Sequence, residues 1–295
     1  MPDRGLHVAM LGIDGTGKST MAEMLSELLS ADGHAVKKLS YRGELREASR
    51  TNTRHALQEL WVESLRLLYL GVEELVPPPS YVEFDGEDWE RRLRDTPVAA
   101  NVPVGPLAAA WLEWVGQVLL RHESVIPNLA AGVHVVDESF GLKTAFRELL
   151  LASRLNADPA MADEIDTAKT VLSRLFATCR PDIGLVITSP IEQAYRWRMR
   201  QKGALGILES MTVAGGDAHL DGFVEIQSTC DAYFREFAAS AGWTVFEMED
   251  LSPQDNFDRL LGVLRAHPVM ASLLPDRGEH AGSVSTADAT GGLNV

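Results

Sequence analysis

Gly12-Ile13-Asp14-Gly15-Thr16-Gly17-Lys18-Ser19-Thr20 decides the fold of this chain. Its first eight residues fit the spacing GxxxxGK[ST]. Glycines at these places let the backbone curl until successive N–H groups point inward, which makes a nest for phosphate oxygens. A helix starting at Lys18 aims its positive end at the same anion. Lys18 sets a point charge beside the outer phosphates of a nucleoside triphosphate, Ser19 offers a hydroxyl to Mg2+, and Thr20 is placed to reach the α-phosphate. A glycine-rich turn can fit this pattern by chance, so its flanks must agree with it. They do: residues 6–13 form a short apolar run ended by glycine, and Met21, Leu25, Leu28 and Leu29 recur at helical spacing until Gly33 supplies a stop.

Reading outward, residues 35–40, 133–136, 183–187 and 243–246 are compact apolar stretches that predict four further strands. Helical periodicity runs over 53–75, 107–126, 143–155, 161–178, from Pro190 onward, 223–239 and 256–264. Strands alternating with helices predict a parallel sheet in an α/β fold. Pro77, Pro78 and Pro79 stop the first long helix, and residues 80–106 read as an irregular insertion, charged and spaced by prolines. Beyond His267 the chain turns to Gly, Ala, Ser, Thr and Asp, which predicts a disordered tail from Asp276. No internal repeat is present.

The 295 residues are 45% hydrophobic and 23% charged, the balance of a soluble globular protein. A net charge of −15 argues against nucleic acid as the main partner, since phosphate backbones need a surplus of Lys and Arg. A single small phosphate-bearing ligand needs only a few local donors. Cys179 and Cys230 lie far apart with no CxxC spacing, so a disulfide framework or zinc site is not expected. Both read as reduced thiols, no stretch is long enough to span a membrane, and residues 1–10 carry no secretory pattern. A cytoplasmic location and a small-molecule partner, with no nucleic acid and no membrane, are the expectation.

There is no NKxD sequence of a GTPase and no LSGGQ of an ABC-type ATPase. Asp14, inside the loop but facing away from the triphosphate, suits a hydroxyl of a second substrate; the alternative is a bond to its own turn. Asp137 ends a strand at the sheet edge where ligands of open α/β folds bind, suited to Mg2+ or to a hydroxyl proton; the alternative is a helix cap. Arg196, Arg198 and Arg200 cannot all face one site, because alternate helical positions diverge by about 200°. His134 within a strand reads as a core residue, and Trp111 and Trp114 as core or as a platform for the acceptor.

With these residues in view, the chain resembles the thymidylate kinase family of nucleotide kinases. Residues 12–20 match that family's phosphate loop almost letter for letter. Tyr41-Arg42-Gly43-Glu44 loosely resembles its Thr-Arg-Glu-Pro segment, whose arginine binds the acceptor phosphate. Residues 126–132, Pro181-Asp182, residues 185–190, the arginines 196–200 and Tyr233 are similar to later landmarks, whereas residues 43–106 match little. The resemblance implies a three-layer P-loop NTPase fold with a parallel five-stranded sheet, a helical lid and a helical insertion. Residues 1–275 would form one kinase-like domain, with 41–132 an enlarged acceptor-side insertion, 190–222 the lid and 276–295 the tail. It implies ATP and Mg2+, held by Gly12, Asp14, Gly15, Thr16, Gly17, Lys18, Ser19, Thr20 and Arg196, with Ser19 and Asp137 on the metal. Lys18, Asp14, Asp137, Glu138, Arg196 and Arg200 would serve catalysis, and Asp14, Arg42, Trp111 and Glu138 would bind the acceptor. A homodimer stays open.

The departures shape the expected acceptor. The family's Asp-Arg after the third strand is here Asp137-Glu138-Ser139, and a glutamate repels phosphate. The family's aromatic residue with arginine four positions on is here Trp111 with Val115. With two acceptor-binding arginines missing, Glu138 suits a hydroxyl or a cationic group, and the expected small-molecule acceptor is a nucleoside, a nucleoside- or nucleotide-like compound or a quite different metabolite. Two alternatives remain: a true thymidylate kinase supplied with Arg91, Arg92 or Arg94 from the insertion, and a nucleotide-binding regulatory protein without acceptor chemistry.

Overall fold

The computed structural model describes residues 4–72, 80–86, 89, 92–93, 102–210, 220–271 and 273–274. The strands are β1 (His7–Leu11), β2 (Val36–Leu39), β3 (His134–Asp137), β4 (Ile183–Thr188) and β5 (Thr244–Glu247). They form one sheet in the order β2-β3-β1-β4-β5, and every pairing is parallel. The expected five-stranded parallel α/β architecture is thus present. β1 is central and buried throughout, which is why its sequence is a continuous apolar run and not an alternating one.

The helices are α1 (Lys18–Ala31), α2 (Tyr41–Glu47), α3 (Thr51–Leu68), α4 (Tyr81–Gly86), α5 (Val104–Leu120), α6 (Ile126–Ala130), α7 (Leu142–Leu155), α8 (Pro159–Thr178), α9 (Ile191–Lys202), α10 (Ile207–Ser210), α11 (Leu220–Ala241), α12 (Pro253–Arg265) and α13 (Pro268–Ala271). A π-helical turn, Arg121–Val125, joins α5 to α6. Successive side chains of a strand face opposite ways, and the two faces of the sheet have different covers. Val8, Met10, Leu185 and Ile187 pack with Met21 and Leu25 of α1 and Phe257 and Leu260 of α12. Ala9, Leu11 and Val186 pack with α5, α7, α8 and α11. The centre of this second layer is aromatic: Phe140 lies 5.6 Å from Phe176 and 5.0 Å from Trp243, ring centre to ring centre.

Three features differ from the sequence expectation. α2 forms where no helix was expected, because Ser40 caps it by accepting the Gly43 N–H at 3.0 Å. Ser139 Oγ accepts the Tyr41 N–H at 2.8 Å and ties α2 to the end of β3. α3 ends at Leu68, short of the prolines, and residues 80–106 contain α4 and the start of α5. Pro77 to Pro79, Arg91, Arg94, residues 211–219 of the expected lid and the expected tail 276–295 lie outside the described residues. Among those described, no helix is long and apolar enough to cross a membrane.

Phe140 is 1% exposed and touches rings from α8, α11 and the approach to β5. Phe140→Ala is expected to lower stability by about 3–5 kcal/mol, read by urea denaturation.

Candidate active site

The loop leaves β1 at Gly12, whose φ is 143° and whose added Cβ would lie 2.0 Å from the Ile187 carbonyl oxygen. Only glycine permits that exit beside β4. At Gly15, φ is 79°, and a Cβ would lie 2.2 Å from the Ala194 oxygen and 3.2 Å from Arg198 Cβ. α9 therefore rests directly on the loop. Thr16 Oγ1 donates to the Ile13 oxygen at 3.0 Å and closes the turn. Lys18 is buried, with Nζ donating to the Ile13 oxygen and to Thr16 Oγ1. Ser19 and Thr20 are exposed on the first turn of α1.

Asp14 is held by residues the sequence reading did not single out. Its Oδ1 is 3.2 Å from Lys143 Nζ, and its Oδ2 pairs with Arg147 Nη2. Lys143 and Arg147 stand four apart on α7 and so share one face. The Asp14 N–H donates to Gln227 Oε1 at 3.3 Å, and Gln227 Nε2 donates to the Glu209 carbonyl at 3.1 Å. Arg198 grips the Glu209 carboxylate with Nε at 2.8 Å and with Nη2. Loop, α7, α9, α10 and α11 are joined by this chain of polar contacts.

The charges crowd. Burial, followed by the nearby positive charges of Lys143 and Arg198, holds the Lys18 ammonium well below its ordinary pKa. Burial also lowers Lys143, with Arg198 adding to the effect and Glu209 opposing it. Burial pushes the Glu209 carboxyl up, but the Arg198 contacts outweigh it and the net shift is downward. Desolvated cations facing one another at a loop of inward N–H groups suit a ligand with several negative charges.

Strand register separates the two acids that end β3. Asp137 pairs with Ala9 and shares its side of the sheet, whereas α1 and Ser19 belong to the other side. Asp137 is 2% exposed; its Oδ1 accepts the Ser139 N–H at 3.0 Å, and its Oδ2 lies 3.8 Å from His7 Nε2. Asp137 is thus occupied by Ser139 and faces His7, and Gly141, not Asp137, precedes α7. Glu138 faces the loop: its charge is felt by Lys18, Lys38 and Lys143, and its Oε2 is buried with no hydrogen-bond partner.

Of the alternating arginines, Arg198 reaches inward. Arg196 is exposed, 3.8 Å from Asp250, and Arg200 is exposed on the far side of α9. Arg42 is exposed over the Trp61 ring at 5.4 Å. Trp111 is 37% exposed and lies about 200° around α5 from Glu113, which faces inward. His134 accepts the Leu6 N–H at 3.0 Å, in keeping with a core role, and Tyr233 stacks on Phe146 at 3.6 Å.

The inward face of α5 carries Glu113 and Gln117. Gln117 Oε1 accepts the Gly141 N–H at 3.0 Å. Glu113 lies close to Glu148 of α7, and burial pushes Glu113 up to about 7. Burial and the charge of Glu113 hold Glu148 well above the carboxylate range, and Ser64 Oγ donates to Glu148 Oε1 at 3.0 Å. The readable signal for these residues was charge on an otherwise apolar helix face: Glu113 among Ala109, Ala110 and Gly116, and Arg147-Glu148 between Phe146 and Leu149.

No family model and no curated protein sequence matches the chain. Among solved structures it is similar to a thymidylate kinase from Candida albicans, at 12% identity and a TM-score of 0.49, over 89% of this chain and 92% of that one. It is also similar to a deoxyadenosine kinase from M. mycoides with bound dATP, at 9% identity and a TM-score of 0.48, over 88% and 99%.

Two outcomes are expected. Arg198→Ala leaves Glu209 buried without its partner and should cost about 3 kcal/mol of stability, whereas Arg200→Ala should leave thermal denaturation almost unchanged. For Glu113, the folded pKa of about 7 exceeds the ordinary 4.5, so the folded state keeps a proton that the unfolded state loses. Its contribution to stability thus becomes unfavourable as pH rises from 4.5 to about 7, and is constant above. Glu113→Gln should gain relative to the wild type across that window, by at most about 3 kcal/mol, read from melting curves at successive pH values.

Proposed function

We propose that this chain is an ATP- and Mg2+-dependent kinase that transfers the γ-phosphoryl group to a small, nucleoside-like acceptor carrying no phosphate of its own. The observation that supports it is the pairing of a phosphate loop with Glu138: buried Lys18 sits among other cations, and the acid beside it has an unpartnered Oε2 where the thymidylate kinase pattern has arginine. The loop N–H groups and Lys18 bind the β- and γ-phosphates, and Arg198 sits over the loop where negative charge builds during transfer. The exposed Ser19 hydroxyl fits Mg2+, which keeps most of its other sites for phosphate oxygens and water. When bound, the metal neutralises charge on the triphosphate.

In the transfer, the bond between the γ-phosphorus and the β–γ bridging oxygen breaks, and the acceptor oxygen forms the new bond. ADP leaves, and the acceptor hydroxyl proton passes to the Glu138 carboxylate. Asp14, fixed by Lys143 and Arg147, holds the loop at the set distance from α7. Buried free thiols at Cys179 and Cys230 and the net charge of −15 support a cytoplasmic enzyme that acts on small molecules.

The test is a screen of metabolites with ATP and Mg2+, read by a mass gain of one phosphoryl group. Acceptors without phosphate should gain it, and Glu138→Gln should lower kcat by about 10²–10⁴ with the KM for ATP little changed. Efficient turnover of thymidine monophosphate would refute the acceptor assignment. Nucleotide binding with no acceptor modified anywhere in the screen would instead favour a regulatory protein.

A further inference from the structure

Three arginines alternate along α9, and one of them is held. Arg198 donates from Nε to Glu209 Oε2 at 2.8 Å and from Nη2 to Glu209 Oε1, a side-on fork. Both side chains are withdrawn from water, at 14% and 6% exposure. Arg196, 3.8 Å from Asp250, and Arg200 are exposed on the same helix. Glu209 is fixed from a second direction as well. Its carbonyl accepts Gln227 Nε2 at 3.1 Å, and Gln227 Oε1 accepts the Asp14 N–H at 3.3 Å. Gln227 is buried, and both ends of its amide are used. The residue that grips Arg198 is thus tied to the loop that Arg198 overlies. The close approach of Arg198 Cβ to Gly15 completes the circuit from loop to α9, α10, α11 and back to the loop.

Packing alone does not call for this pair, since apolar residues would join α9 to α10 at lower cost. Arginine is a long, rotamer-rich side chain. Here it also feels the repulsion of Lys18 and Lys143. Without a partner it would swing out to water, as Arg196 and Arg200 do. A guanidinium carries five N–H donors in one plane. The side-on fork takes two of them. Both hydrogens of Nη1 and one of Nη2 remain along the neighbouring edge, and Arg198 has no other hydrogen-bond partner among the described residues. That edge fits two oxygens of one phosphoryl group.

We propose that Glu209 is a positioning residue for phosphoryl transfer, holding the Arg198 guanidinium side-on so that its free edge meets the γ-phosphoryl group as negative charge builds there. This rests on the kinase reading above. Glu209 touches neither reactant and acts through Arg198.

The experiment uses the full chain with ADP, Mg2+ and fluoroaluminate, which together mimic the phosphoryl group in flight and need no identified acceptor. Calorimetry gives the Kd for ADP with Mg2+, with and without fluoroaluminate, and the gain in affinity reads stabilisation of the transferring group. Glu209→Gln should cut that gain by about tenfold or more, while the Kd for ADP alone changes less than about twofold. Arg198→Ala should cut it as much, and the double variant no further, because the two side chains act as one unit. Should Glu209→Gln fail to fold, Glu209→Asp, which keeps the charge but draws it back by one methylene, reads the same gain and should cut it by about threefold or more. An ion pair that serves the fold alone would lower the melting temperature and leave the gain untouched, which overturns the proposal. Losses that multiply in the double variant overturn it too. A wild type that binds ADP but gains nothing from fluoroaluminate would instead strike the kinase reading itself.

Discussion

Desolvated positive charge at the carboxyl end of β1 is the constraint on which this structure turns. Lys18 from α1, Lys143 and Arg147 from α7 and Arg198 from α9 approach one short loop, and burial alone disfavours the charge on each lysine. Cations tolerate such a place only with partners. Asp14 partners the pair from α7, and Glu209 partners Arg198. Each partnership spans different elements, so neutralising the charge also fixes where the helices sit. The central position of β1 puts the loop in the middle of the sheet edge, within reach of helices on both faces.

The frame of this arrangement was legible in the sequence because it is local. A buried strand, a glycine turn and an amphipathic helix are each specified by adjacent residues, and all five strands lie within two residues of their expected places. What sequence spacing could not supply was the face. Asp137 and Glu138 are neighbours, yet pairing of Asp137 with Ala9 sends them to opposite sides of the sheet. On α9, choosing among Arg196, Arg198 and Arg200 required knowing which side rests on Gly15. On α5, the aromatic-to-arginine spacing pointed to Trp111 and Val115, whereas the inward pair is Glu113 and Gln117. Long-range partners such as Asp14 with Arg147, or Ser64 with Glu148, have no signature in linear order; only charge on an apolar face hinted at them.

The site divides into a cation-lined loop and a layer of buried carboxyls behind it. Around the loop the surplus is positive and matches a triphosphate. Behind it, among α3, α5 and α7, Glu113 and Glu148 are buried, their carboxyls pushed up by desolvation and held beside Lys143 and Arg147. Glu138 stands at the border, sensed by Lys18 and Lys143. Burying Glu113 weakens the fold at neutral pH.

Direct calorimetric titration of ATP into the protein, with Mg2+ present, addresses the cation-lined loop itself. The structure predicts a dissociation constant between about 1 μM and 1 mM, weakened more than tenfold by Lys18→Ala in protein that remains folded. Well-folded wild-type protein with no measurable affinity for ATP, ADP or GTP, whether or not a divalent metal is added, would contradict it.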